Sequence, residues 1–216
     1  MIELFKKAAL TGDVWVLWLL VAASVGSLGI MLERWWVFRA DSGDFSSLFD
    51  GLRGQLDQRD WAGAHRRAEG ARGLEARVVL AGLENAGKGA ESAEQAMLSR
   101  LVLERSRLES GLIVLATLGN NGPFIGLFGT VLGIIKAFND LAISGAGGSS
   151  IVMAGISSAL VATAFGILVA IPAVAANNAF QTRLKKRVAN AQSLIHLLQC
   201  HLREQRAAPS REEAAA

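Results

Sequence analysis

Three stretches of this chain carry almost no charge, and their lengths constrain the fold more than any other feature. Val14 to Leu32 is uncharged for 19 residues, with Trp15 and Trp18 at one end and Glu33, Arg34, Trp35 and Trp36 at the other. An apolar run of about 20 residues matches the hydrocarbon thickness of a bilayer, and tryptophans gather at its two interfaces. Ser110 to Ile135 is uncharged for 26 residues and ends at Lys136. Leu141 to Thr182 has no charge either, but its start, Ser144 to Ser150, is too rich in glycine and serine to be helix core. The third crossing therefore runs from about Ile151 to Ala176, again near 20 residues or more. Buried helices of water-soluble proteins seldom stay charge-free for so long, so the expected fold is an all-α membrane protein with three transmembrane helices.

The boundaries follow. Residues 14–38, 110–139 and 151–178 are expected to be the three transmembrane helices, joined by a long helical segment at 39–109 and a short loop at 140–150. Residues 1–13 form an N-terminal segment, 179–206 a further helix and 207–216 a disordered tail. Arg183, Lys185, Lys186 and Arg187 follow the third span, whereas the loop before it has only Lys136 at its edge. The positive-inside rule then places the C-terminus and 39–109 in the cytoplasm, and 1–13 and 140–150 in the periplasm. The first apolar run follows Glu3, Lys6 and Lys7 and ends in charged, bulky residues, so it is expected to stay as an anchor and not to be cleaved.

The segment 39–109 alternates turn signals with helical periodicity. Phe45, Leu48, Phe49, Leu52 and Leu56 recur at steps of three and four, which gives one apolar face. A short helix carrying Trp61 and Ala64 and another over Leu74 to Asn85 come next. Gly87 to Gly89 breaks the pattern, and Glu91 to Ser110 is expected to run as one helix, without interruption, into the second span. In the tail, Leu184, Val188, Ala191, Ile195, Leu198 and Leu202 follow an a/d heptad rhythm. Such a seam needs a partner, and the chain's own inner helices are the simplest one.

Several function classes are set aside. The 22 basic and 19 acidic residues leave a net charge of +3, an excess that the cluster at Arg183 to Arg187 accounts for, so no nucleic-acid partner is expected. That cluster suits anionic lipid headgroups. No Gly-rich phosphate loop or nucleophile elbow points to an enzyme or a cofactor. Cys200 is alone, and His196, Cys200 and His201 lack further ligands at a zinc-site spacing, so no metal site is expected.

The second span concentrates what is unusual. Gly119, Gly122, Gly126, Gly129 and Gly133 are spaced three, four, three, four, which at about 100° per residue puts them on one narrow face. In lipid, helices associate through close backbone approach, which small residues permit. Gly155, Ala159, Ala162, Gly166, Ala170 and Ala173 make a matching stripe in the third span. The two faces can meet each other or neighbouring subunits. Thr130 and Thr163 project about 60° from the centres of these stripes and sit at seams. Each hydroxyl can bond its own helix backbone or line a wet path for an ion. Pro123 and Pro172 free the carbonyls of Gly119 and Leu168 and tend to bend their helices.

GPFIGLFGTVLGI at 122–134, followed by GISSALVATAFGILVAIPAVAANN at 155–178, resembles the paired signature of the MotA/TolQ/ExbB proton-channel family, in its TolQ/ExbB branch. GLEARVVLAGLENAG at 73–87 is also similar. The resemblance implies an inner-membrane homo-pentamer around the single membrane helix of an ExbD/TolR/MotB-like partner, which supplies a membrane aspartate. Ion flow through it would be coupled to mechanical work on the envelope. The resemblance also implies that Thr130 and Thr163 face the central pore. Where TolQ and ExbB proteins have a proline and a glutamate, this chain has Ala154 and Ser158. No span then holds a carboxylate near mid-membrane, so any titrating acid must come from a partner. Ser158 thereby joins the ion-pathway candidates, and the departure leaves room for a specialised relative such as a gliding-motor subunit. The alternative reading is a non-conducting membrane scaffold. A small transporter would show an internal repeat, and none is visible.

Overall fold

A computed structural model describes residues 14–144 and 149–213, side chains excepted at 144, 149 and from 206 onward. The expectations for 1–13 and for the middle of the 140–150 loop lie outside the described residues. Those described are helical with short connections and form no strand. The helices are α1 (Val14–Ala40), α2 (Phe45–Asp57), α3 (Trp61–Gly70), α4 (Leu74–Asn85), α5 (Ala90–Glu109), α6 (Leu112–Ser144) and α7 (Ser149–Glu213), with a 3-10 turn at Ala86–Lys88. Three of them are long and apolar enough to cross a membrane. The protein is an all-α membrane protein.

The chain divides into two compact units. Among the described residues, the first joins 14–34 with 111–180, and the second joins 35–110 with 181–213. In the first unit the large side chains of the spans point outward: Trp18, Leu32, Phe124 and Ile171 are each more than 60% exposed. A water-soluble protein does not display apolar surface on this scale, whereas lipid tails accept it at no cost. An apolar cluster of Val16, Leu20 and Leu132, flanked by Ile125 and Phe165, packs inward.

The second unit packs in the ordinary way, through amphipathic faces. Asp44 caps α2, its carboxylate accepting from the Ser46 and Ser47 amides at 3.1 and 3.4 Å, and Leu48, Leu52 and Leu56 turn inward. Asp60 caps α3 through the Gly63 amide at 2.8 Å. Short polar side chains at these positions satisfy amides that the helix itself leaves unpaired. Ala93, Met97, Leu101 and Leu108 form the buried side of α5. The heptad residues Leu184, Ala191, Ile195, Leu198 and Leu202 are buried, while Val188 is half-buried. Their partner is the chain itself: a Cβ placed on Gly82 in α4 would lie 2.6 Å from Met97 and 2.8 Å from Leu198.

A buried ionic node joins these elements. Asp41 accepts from Arg77 Nη2 at 2.7 Å and from Arg187 Nη1 at 2.6 Å. Arg77 also donates to Glu104 at 2.7 Å, and Arg100 pairs with Glu104 at 2.8 Å. Burial opposes the charges of Arg77 and Glu104, but their mutual hydrogen bond and the surrounding charges outweigh it. The Arg77 pKa rises and the Glu104 pKa falls.

One expectation is corrected. The helix beginning near Glu91 does not run unbroken into the second span, because it stops at Glu109. Ser110 turns extended (φ −52°, ψ 136°), and Gly111 takes φ +79° before α6 starts at Leu112. A left-handed residue ends a helix, and glycine adopts that conformation without a Cβ clash.

Candidate functional site

The site lies in the first unit, where α6 and α7 come together through their small residues. All five glycines of the α6 stripe are buried. A Cβ on Gly126 would stand 2.7 Å from the Ala162 carbonyl oxygen, and one on Gly166 would stand 2.6 Å from the Gly122 oxygen. One on Gly119 would meet Val174 at 2.4 Å, one on Gly129 the Ala162 methyl at 2.9 Å, and one on Gly155 the Ala137 methyl at 2.6 Å. Backbone therefore comes against backbone around Gly122, Gly126 and Gly166, while Gly119, Gly129 and Gly155 meet the side chains of Val174, Ala162 and Ala137. The sequence left open whether the stripes meet each other or a neighbour; within this chain they meet each other.

Close approach of the helices brings two polar side chains face to face. Thr130 is buried and Thr163 half-buried, and their hydroxyls are hydrogen-bonded to each other. The Thr130 oxygen also lies 3.2 Å from the Gly126 carbonyl and 3.4 Å from the Ala159 carbonyl. A hydroxyl has one proton to give. If Thr130 donates to a carbonyl, it accepts from Thr163; if it donates to Thr163, neither carbonyl receives its proton. The pair thus has two orientations of one hydrogen-bond chain across the seam; the bond to its own helix backbone expected for a threonine is within reach for Thr130, whereas the hydroxyl–hydroxyl contact was not anticipated.

The other candidates are placed differently. Ser158 sits on an exposed face of α7, and the structure does not bring it into the threonine pair. Pro123 and Pro172 both fall inside continuous helix, Pro123 half-buried and Pro172 exposed. Upstream of Pro123, the Thr117 hydroxyl donates to the Ile113 carbonyl at 2.9 Å and the Asn121 amide donates to the Thr117 carbonyl at 2.9 Å. These polar groups are thereby satisfied on their own helix, as a span requires. Among the described residues no group of three His, Cys, Asp or Glu stands in a metal-binding arrangement. His201 is instead held between Asp57 and the Leu197 carbonyl, each at 2.9 Å.

Residues 71–193 match the MotA/TolQ/ExbB proton channel family. The chain belongs to this family. The matched span runs from just before α4 into the basic start of the tail, so it contains both small-residue stripes and both threonines. Among curated proteins, the chain is 34% identical over 141 residues to the biopolymer transport protein ExbB of Xanthomonas campestris pv. campestris (strain B100), covering 65% of this chain and 53% of that protein. It is 44% identical over 93 residues to the Tol-Pal system protein TolQ of Pseudomonas aeruginosa, covering 43% of this chain and 40% of TolQ. It is 42% identical over 120 residues to the ExbB of Pseudomonas putida, covering 52% of this chain and 36% of that protein. The chain thus spans about half or less of the length of these relatives. They place it in the TolQ/ExbB branch of the MotA/TolQ/ExbB family, among multi-pass membrane proteins.

Sequence reading of this family member did not single out Asp41, Arg77 or Glu104. Each looked like one charge in a balanced segment, because their partners are far away in sequence: Arg77 lies 36 residues from Asp41 and 27 from Glu104. The only signal in the sequence was an acid immediately after a membrane span, at the start of the turn.

Proposed function

We propose that this protein is a subunit of an ion-driven energy transducer in the bacterial inner membrane, with its C-terminus in the cytoplasm. Five copies surround the membrane helix of a single-span partner. That partner brings the titrating aspartate, because residues 14–32, 112–135 and 149–180 contain no acid. The observation that carries the reading is the Thr130–Thr163 hydroxyl pair in the α6–α7 seam. Two hydroxyls that can reverse their hydrogen-bond direction offer a polar contact to an ion or proton arriving at the partner's carboxylate, at a place where the neighbouring contacts are glycine backbone and small apolar side chains. Moving one charge through about 100 mV supplies about 2.3 kcal/mol per step, enough to bias a conformational change. Coupling of that step to mechanical work on the envelope completes the proposal.

The test uses the chain co-reconstituted with its single-span partner in vesicles. A pH gradient or membrane potential should drive flux, and Thr130→Val with Thr163→Val should reduce it at least about tenfold, the effect of about 1.4 kcal/mol on a barrier. Thr163→Ser keeps the hydroxyl and should retain most of the flux. Unchanged flux in the double valine variant would refute the role given to the pair. A second reading, a non-conducting scaffold, is favoured by Ser158 standing where related proteins carry a glutamate. Absence of flux from an intact complex would select it.

A further inference from the structure

A cavity of about 490 Å³ opens in the second unit, between the end of α1, the turn that follows it, the start of α4 and the tail portion of α7. Its volume is in the range of small-molecule sites. Two of the charged groups lining it are already neutralised: Arg187 by Asp41, and Asp44 by the amides it caps at the start of α2. Four others remain. Arg39 lies with its guanidinium 5.6 Å from the Trp35 ring centroid. Arg183 and Lys186, one turn apart on α7, are exposed at the cavity and form no ion pair among the described residues. Glu75, by contrast, is only 6% exposed, yet its carboxylate has neither a hydrogen bond nor an ion pair among the described residues.

A carboxylate without a partner, on a residue only 6% exposed that lines the cavity, is open there to a cation or a hydrogen-bond donor. Unpaired arginine and lysine beside it call for an anion, and guanidinium suits phosphate best. A ligand with both charges a few bonds apart satisfies the set. The position narrows the source. The cavity wall begins at Trp35, immediately after the apolar run of α1 in sequence, where aromatic and basic residues meet headgroups.

We propose that this cavity binds the headgroup of a zwitterionic aminophospholipid, its phosphate held by Arg183 and Lys186 and its primary ammonium by Glu75. Phosphatidylethanolamine has the required chemistry. Phosphatidylglycerol lacks the ammonium, and phosphatidylcholine has a quaternary nitrogen with no N–H to donate. Arg39 and the Trp35 ring form the apolar-to-polar rim against which the glycerol end rests.

The experiment titrates the full-length protein, stripped of co-purified lipid in detergent, with dihexanoyl phosphatidylethanolamine, phosphatidylglycerol and phosphatidylcholine, and with free phosphoethanolamine. Bound ligand is counted by native mass spectrometry. The ethanolamine lipid should bind at least about tenfold more tightly than the other three. Glu75→Gln should erase its advantage over the choline lipid. Arg183→Ala with Lys186→Ala should weaken binding by about tenfold or more, because the cationic donor that then remains from α7, Arg187, is held by Asp41. Equal binding of the ethanolamine and glycerol lipids, or a preference that survives Glu75→Gln, overturns the proposal. Free phosphoethanolamine binding as tightly as the lipid overturns the membrane source. Should Glu75→Gln lose its helical circular dichroism, the exposed pair Arg183 and Lys186 still decides the matter, because unchanged binding in that double variant is sufficient to refute it.

Discussion

Asp41 and Arg187 are 146 residues apart in sequence and are joined by an ion pair of 2.6 Å, the Asp41 side chain being 5% exposed. The pair closes the second unit, because Asp41 also holds Arg77, which holds Glu104. Removing Asp41 takes from the largely buried Arg187 its carboxylate partner and leaves Arg77 with Glu104 alone. Asp41→Ala should therefore cost about 3 kcal/mol of stability, measured as a lower urea midpoint of the detergent-solubilised protein by circular dichroism. Arg53→Ala, on an exposed residue of α2, should change the midpoint by less than about 0.5 kcal/mol.

The α6–α7 seam predicts a contrast between glycines. Gly126→Ala places a methyl 2.7 Å from a carbonyl oxygen, whereas Gly26 in α1 has nothing within 4 Å of the corresponding position. Overpacking against backbone should cost Gly126→Ala about 1–3 kcal/mol. Gly26→Ala should be neutral or stabilising by up to about 1 kcal/mol, since alanine is the better helix former. Thermal melts of the two variants in the same detergent check the difference. Equal melting temperatures would show that the seam is not closed.

Gly111→Ala tests the break between α5 and α6. At φ +79° an L side chain is strained, and the change should cost about 1–2 kcal/mol. Gly111→Asn, whose side chain tolerates the left-handed region better, should recover part of that loss in the same melt.

His201 makes stability depend on pH. Both ring nitrogens face acceptors, Leu197 O and Asp57 Oδ1, so only the doubly protonated imidazolium donates to both. Burial pushes its pKa down, but the Leu197 carbonyl and Asp57 outweigh it and raise the pKa above the usual 6.5. A raised pKa means that the contribution is fully present below about 6.5 and is lost as pH climbs through the higher folded value. Glu204 also favours the charged ring, and Arg59 lines the adjacent cavity. The urea midpoint should fall more between pH 6 and pH 8.5 in the natural protein than in His201→Gln, by about 1 kcal/mol or less for a partly exposed pair. Parallel pH profiles for the two proteins would remove the pair from the account. Glu104 acts in the opposite sense: its lowered pKa contributes stability above about pH 4.5 that is lost as pH falls through the folded value.

The sequence by itself determined the three spans, the helix over Leu74–Asn85, the buried stripe of α6 and the heptad side of the tail. These are periodic, local signals, set by the bilayer thickness and by 3.6 residues per turn. It also marked Thr130 and Thr163, which are conspicuous because the residues around them are apolar or bare. The break at Ser110–Gly111 escaped it, since one glycine between two helical patterns carries no strong stop signal unless its φ is known. Tertiary structure alone decided that the two small-residue stripes close on each other, that the threonine hydroxyls meet, and that Asp41 pairs with Arg77 and Arg187. It alone left Glu75 buried with no partner beside Arg183 and Lys186. Contacts of this kind join residues separated by 33 to 146 positions, and no periodicity encodes them. They are selected by which backbones can approach closely and which buried charges find an opposite one.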